Sequence, residues 1–302
     1  MAYLKISEGC DHTCAFCAIP SFRGRFRSRP FEDLVAETHR LCDGGVREII
    51  IVSQDTLAYG KDLGVTDGIL PLLESLLAVD GLAWIRLLYC YPNLLSESMI
   101  RLIGSETRIC NYFDIPYQHA STRVLKRMRR GGGRASFEAQ IDRIRTLVPG
   151  SGLRTSMIVG FPGETESDFL ELLQFVDSVR FDNLGVFLYS DEQGTFAEGL
   201  DCKVPRDLAV ERRDVLMEKQ AGISRDQLKK LIGRQVPVLL EGVSSESDLL
   251  LEGRMETQAP EIDGKILIND TTEEQPESGQ FYLTEITESM DYDLLGRIVS
   301  SL

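Results

Sequence analysis

The stretch Cys10-Asp11-His12-Thr13-Cys14-Ala15-Phe16-Cys17, set just after the apolar run Tyr3-Leu4-Lys5-Ile6, decides how this chain is read. Three cysteines fall within one short loop in the spacing Cys-x3-Cys-x2-Cys. Such a loop lets three thiolates converge on one small inorganic body, as an iron–sulfur cluster requires. The lack of a fourth cysteine matters equally, because one iron would stay open to an external ligand. Zinc is the alternative, with His12 as a fourth ligand, since structural zinc sites close with four Cys or His groups. His12 does not sit in the usual paired Cys-x2-Cys arrangement, so the spacing favours the cluster. Three unrelated buried cysteines is the remaining reading, and their crowding speaks against it.

Working outward, short apolar runs at Tyr3–Ser7, Glu48–Ser53, Trp84–Leu88, Tyr112–Ile115, Leu153–Val159 and Leu184–Tyr189 read as strands. Helical patterns lie between them, the period of βα units. One helix opens at Ser28 and Pro30 and ends at Gly44-Gly45. Another starts at Thr165, an N-cap with Asp168 three residues on, and carries Phe169, Leu172, Leu173 and Val176 on one face. The expected fold class is therefore α/β, a partial six-stranded βα barrel with its site at the strands' C-terminal ends. The cysteine loop follows the first strand, where that rule places a catalytic loop. A helix over 205–231 leads into short β-rich runs at Gln235–Leu240, Lys265–Ile268, Phe281–Ile286 and Gly296–Val299, which read as a small antiparallel β-barrel. The expected division is a barrel over 1–231 and a small β-barrel over 232–302.

Composition bounds the function class. The chain has 302 residues, 43% hydrophobic and 26% charged, which is ordinary for a globular protein. No apolar run is long enough to span a membrane and no signal peptide is visible. Seven cysteines, three of them clustered, point to a reducing, cytoplasmic setting. A net charge of −14 argues against direct nucleic-acid binding. Residues 232–302 hold fifteen acids and four bases, so −11 of that charge falls there. That balance suits either simple solubility or the docking of a basic protein, with Glu256, Glu261 and Asp263 among the acids read as surface.

The cysteine spacing, with Phe16 just before Cys17, resembles the radical S-adenosylmethionine (SAM) superfamily. The resemblance implies that Cys10, Cys14 and Cys17 hold a 4Fe-4S cluster whose open iron binds SAM. It further implies that Phe16 lies on the adenine side and that an external electron donor reduces the cluster. SAM contacts are expected in the loops after the strands, at Gln54 and Asp55, Gln118 and Gly160, and at Arg154, which starts the fifth strand. For Gln54 and Asp55 the alternative is that they cap the following turn. His119 reads as a structural histidine, with a proton donor as the alternative, and Cys42, Cys90, Cys110 and Cys202 read as structural thiols. The basic runs Arg23–Arg29 and Lys126–Arg130 read as solvated faces, with a grip on a polyanion or an acidic side chain as the sharper alternative.

The resemblance extends along the chain. Ile19-Pro20-Ser21-Phe22-Arg23-Gly24-Arg25, Gly160-Phe161-Pro162-Gly163-Glu164-Thr165 and the TRAM-like C-terminal region are similar to the methylthiotransferases. Within these, Ser53-Gln54-Asp55-Thr56, Ala259-Pro260-Glu261-Ile262-Asp263-Gly264 and Asp291-Tyr292-Asp293-Leu294 resemble the RimO type. That type adds a methylthio group to the β-carbon of an aspartate in small-subunit ribosomal protein S-twelve, a basic partner. The tRNA-modifying MiaB type is the runner-up, and a catalytically silent, cluster-stabilised ribosome-component binding module the alternative of another class. The family's N-terminal domain, with a second cluster that delivers sulfur, is expected to be absent here, so sulfur insertion by this chain alone is expected to fail.

Overall fold

A computed structural model describes residues 1–65 and 67–302. Six strands run parallel: β1 (Ala2–Lys5), β4 (Glu48–Val52), β5 (Trp84–Leu87), β6 (Tyr112–Asp114), β7 (Gly152–Val159) and β8 (Asn183–Leu188). They form two three-stranded sheets, β1-β4-β5 and β6-β7-β8, joined by a parallel bridge between Ile85 and Ile109. A two-residue ladder, β2 (Ser7–Glu8) with β3 (Arg27–Ser28), flanks the cysteine loop. The helices are α1 (Ile19–Arg23), α2 (Phe31–Asp43), α3 (Ile69–Leu77), α4 (Glu97–Ser105), α5 (Thr122–Arg127), α6 (Arg134–Leu147), α7 (Glu166–Val179) and α8 (Arg206–Leu228). The Thr165 hydroxyl caps α7 and Asp168 reaches back to the Thr165 amide, so the capping box read from sequence is present.

Strand alternation sorts the side chains. Ile49 and Ile51 of β4 face outward into the helices with Leu34, Leu72 and Val176. Ile50 faces inward with Trp84, Leu88, Cys110 and Tyr112. Both faces of β4 are covered, which is why it is nearly continuous apolar sequence, Glu-Ile-Ile-Ile-Val.

The C-terminal strands β9 (Gln235–Ser244), β10 (Ser247–Arg254), β11 (Ile266–Thr271), β12 (Phe281–Ser289) and β13 (Leu294–Ser301) close a barrel in the order β10-β11-β13-β12-β9. Its core is Val238, Leu240, Ile266, Ile268, Tyr282, Ile286, Leu294 and Ile298. Two features differ from the expected antiparallel barrel. The β11–β13 pair is parallel. Strand β10 went unread because Leu249, Leu250 and Leu251 do not alternate with polar residues; Leu249 is 90% exposed.

This small barrel plugs the N-terminal end of the large one. Leu239, Ala259 and Phe281 enter the large barrel's interior cluster, and Phe281 packs edge-on against Trp84. Glu48, fully buried, accepts from Arg86 Nε at 2.8 Å and from Arg254 Nη2 at 2.6 Å. Arg254 also reaches Glu241 at 2.9 Å, and Arg86 donates to the Glu256 carbonyl at 2.6 Å. Tyr112 donates to Asp263 at 2.6 Å. Asp263 is therefore not a surface acid: its side chain is 1% exposed and faces Arg154. The Glu256 carboxylate faces the Asn111 amide, and Glu261 accepts from the Tyr3 hydroxyl. Part of the acidity read as a docking surface is spent where these three residues meet the large barrel, Asp263 buried there and Glu261 at its exposed edge.

Candidate functional site

Gly9 turns the chain out of β2 at φ +81°, and a Cβ there would lie 2.2 Å from the Arg25 carbonyl. A glycine is needed for that approach, which seats the cysteine loop against residues 24–25 through a bond from the Cys10 amide to the Gly24 carbonyl. Ala15, mid-loop, is held from both sides. Its amide donates to the Met128 carbonyl at 2.9 Å, and its carbonyl accepts from the Ala197 amide at 2.8 Å.

Cys10, Cys14 and Cys17 are half-buried and line one cavity of about 350 Å³ at the C-terminal mouth of the large barrel. Phe16, Gln54, Tyr91, Gln118, Arg130, Ser156, Ile158 and Phe187 share its wall. Burial pushes the Cys10 and Cys17 thiols up, and the Asp55 charge adds to the effect at Cys10. Among the described residues, no three Cys, His, Asp or Glu side chains come close enough to share a single ion. Three thiols on one cavity wall are the donor set that an iron–sulfur cluster takes, one thiolate to an iron.

Asp55 is buried and bonds His12 Nε2 through Oδ2 at 2.6 Å, so it faces a neighbouring cavity of about 290 Å³ that also touches Cys10. Its Oδ1 and the Gln54 Oε1 are buried without a partner, acceptors available to a ligand's donor groups. Gln118 reaches the cavity from a left-handed backbone, φ +71°, pinned by a bond from its amide to the Ser156 carbonyl.

Two expected SAM contacts lie elsewhere. Arg154 stands two and four residues below Ser156 and Ile158 on the inward face of β7, held by Asp114 at 2.8 Å and facing Asp263, so it belongs to the barrel floor. Gly160 is enclosed: a Cβ there would meet the Ala209 Cβ at 2.5 Å, so its smallness serves the packing of α8. His119 is fully buried, accepts from the Ser121 amide through Nδ1 and sits 3.6 Å from Glu164, away from the cavity. Cys90 and Cys110 are buried and Cys202 is exposed.

Sequence reading missed a layered belt on the cavity wall. The His12 ring stacks on Tyr91 with centroids 3.8 Å apart and planes 12° apart. The Arg130 guanidinium lies 4.4 Å from the Tyr91 centroid and donates towards Cys14 Sγ at 3.5 Å. Nothing in the sequence marks Arg130 apart from its basic neighbours, and the contact spans 116 residues.

The model of the Radical SAM superfamily matches residues 4–176, and that of the TRAM domain residues 232–299. Over 99% of its length the chain is 51% identical to the ribosomal protein uS12 methylthiotransferase RimO of Koribacter versatilis and 49% identical to that of Solibacter usitatus. It spans 60% and 65% of those relatives. Coproporphyrinogen III oxidase (HemN) from Escherichia coli shares the fold, with a TM-score of 0.53 at 15% identity over 84% of this chain and 64% of that one. The cysteine loop, its place at the mouth of a parallel βα barrel and the match that runs through both agree: the chain belongs to the radical SAM superfamily.

Proposed function

We propose that this chain holds the radical-generating core and C-terminal domain of a methylthiotransferase that modifies an aspartate of ribosomal protein uS12. The observation that carries this reading is identity near 50% to RimO proteins, sustained through both the barrel and the TRAM domain. Cys10, Cys14 and Cys17 would hold a four-iron cluster, leaving one iron for SAM. When bound, that pair supplies one-electron cleavage of the SAM sulfonium and, through it, hydrogen abstraction from unactivated C–H bonds.

The chain's own residues then bind, orient and exclude water. Phe16 offers a flat apolar face to a purine ring, and Ile158 and Phe187 keep that wall dry. Gln54 presents a free acceptor to the amino group of a bound amino acid, and Gln118 an amide to the ribose. Asp55 fixes the His12 ring from behind. Sulfur delivery is assigned to a second cluster, distinct from the one that Cys10, Cys14 and Cys17 would hold.

Anaerobic reconstitution tests the reading. The expected result is four irons per chain and deoxyadenosine from SAM under reduction, with methylthiolation of uS12 only when an auxiliary cluster is supplied. Iron near eight per chain, or stoichiometric zinc without iron–sulfur absorption, would overturn it. Modification of tRNA in preference to uS12 would move the assignment to the MiaB type.

A further inference from the structure

We infer that Arg130 is a positioning residue that sets the electron density on one cluster thiolate, by donating a hydrogen bond to Cys14 Sγ from a guanidinium that two other contacts hold in place. The inference rests on the proposed cluster and goes beyond it, because it concerns the potential at which the cluster takes up an electron.

The backbone delivers Arg130 to this position. Helix α5 ends with Arg129 in the left-handed region at φ +56°. The Arg129 amide returns to the Lys126 carbonyl, and the Arg130 amide to the Leu125 carbonyl at 2.8 Å. That pair of bonds is a Schellman ending. A non-glycine residue held there costs on the order of 1 kcal/mol or more. The same turn exposes the Met128 carbonyl, which takes the Ala15 amide. The cysteine loop and Arg130 are thus registered by one piece of backbone.

The side chain is then fixed on three sides. Arg130 Nη2 donates to the Pro116 carbonyl at 2.7 Å, Nη1 points to Cys14 Sγ at 3.5 Å, and the guanidinium face lies on Tyr91. Tyr91 in turn is braced by His12, and His12 by Asp55. A solvated arginine needs none of these partners. Arg129 next to it shows the contrast: it is exposed, its guanidinium lies over Phe196, and it touches no cysteine.

A hydrogen bond and a positive charge at a cluster sulfur stabilise the reduced, more negative state and so raise the reduction potential. The second partner set matters because it prevents Arg130 from turning away when the cluster's charge changes.

The test is an EPR-monitored redox titration of the reconstituted chain, wild type against Arg130→Met, Arg130→Lys and Arg129→Ala. The expected result is equal iron and sulfide content, a midpoint shifted to lower potential in Arg130→Met, a smaller shift in Arg130→Lys, and none in Arg129→Ala. A cluster-loaded Arg130→Met protein at the wild-type midpoint overturns the inference. So does loss of iron from both Arg130 variants, which would make the residue purely structural. Wild-type chain that takes up no cluster overturns the proposed function first, and that result is read before any variant is compared.

Discussion

The two ends of the six-stranded barrel are built on opposite principles. At the floor, the large buried charges that hold the two barrels together meet counter-charges: Glu48 with Arg86 and Arg254, Arg154 with Asp114 and Asp263. At the mouth, cysteines stand half-exposed without partners among themselves, and buried acceptors on Gln54 and Asp55 go unmatched. Unmatched buried polar atoms occur at both ends, Arg86 Nη2 and Arg254 Nε among them at the floor, but those at the mouth stand beside cavities lined by the free thiols, which is where a ligand belongs. The floor's paired charges are closed within the chain, whereas the mouth's thiols and free acceptors surround open cavities.

The largest expected effect tests the mouth. Cys14→Ala removes one of three ligands from a site that has no spare, so iron–sulfur absorption after reconstitution should vanish. The urea midpoint of the unreconstituted chain should stay near that of wild type, because the thiol is only half-buried. Cys202→Ala, at an exposed position, should load normally. Retention of a full cluster by the Cys14 variant would show that the mouth is not the site.

The floor answers to stability instead. Glu48→Ala strands Arg86 and Arg254, both nearly fully buried, and breaking a buried pair in this way costs about 3–5 kcal/mol. Urea unfolding at constant slope measures it. A loss below about 1 kcal/mol would mean that water or Glu241 takes over, and that the floor is looser than its contacts suggest.

Acid titration sharpens the same end with a smaller effect. Burial raises the Glu48 pKa, but Arg86 and Arg254 more than offset it, and the net shift is downward. A folded pKa below the unfolded value of about 4.3 gives stability that is present at neutral pH and lost as pH falls through the folded pKa. Asp263 has the opposite sign: burial raises its pKa, so its charge costs stability at neutral pH and protonation relieves that cost. Glu48→Gln should therefore flatten the acid limb of stability against pH, whereas Asp263→Asn should steepen it. Chemical denaturation between roughly pH 3 and 6 reads both, and equal slopes in the two variants would contradict the assigned signs.

What was legible in the sequence follows the same division. The mouth announces itself because cluster ligation demands three like residues in one short loop. Strands β4 and β5 were legible because both their faces are buried and leave nearly continuous apolar runs. The floor was not legible. Glu48 and Arg254 are 206 residues apart, and a charged residue at the start of a strand looks like any other strand end. Arg154 misled for a related reason: its strand is right and its face is right, but its height along β7 is set by the plug from the C-terminal barrel. Arg130 was hidden in a basic run whose other members are mostly solvated.

The smallest expected effect concerns charge that belongs to neither end. Asp248, Glu274 and Glu288 are exposed on the C-terminal barrel and carry no ion pair, unlike Asp263, which is locked in the floor. Replacing all three by Lys touches no packing, so stability should move by less than about 0.5 kcal/mol per site. Their long-range field is another matter. In a domain with fifteen acids and four bases, it should draw in a basic protein such as the proposed uS12 substrate. Association of the triple variant with uS12 should be slower than wild type at low salt. The two rates should converge as added salt brings the screening length down to about 8 Å. Deoxyadenosine formation should be unchanged, because these residues lie outside the cavity. Stopped-flow rates across a salt series decide it: parallel salt dependences for the two proteins would assign the acidic surface to solubility alone and leave substrate recognition to the barrel mouth.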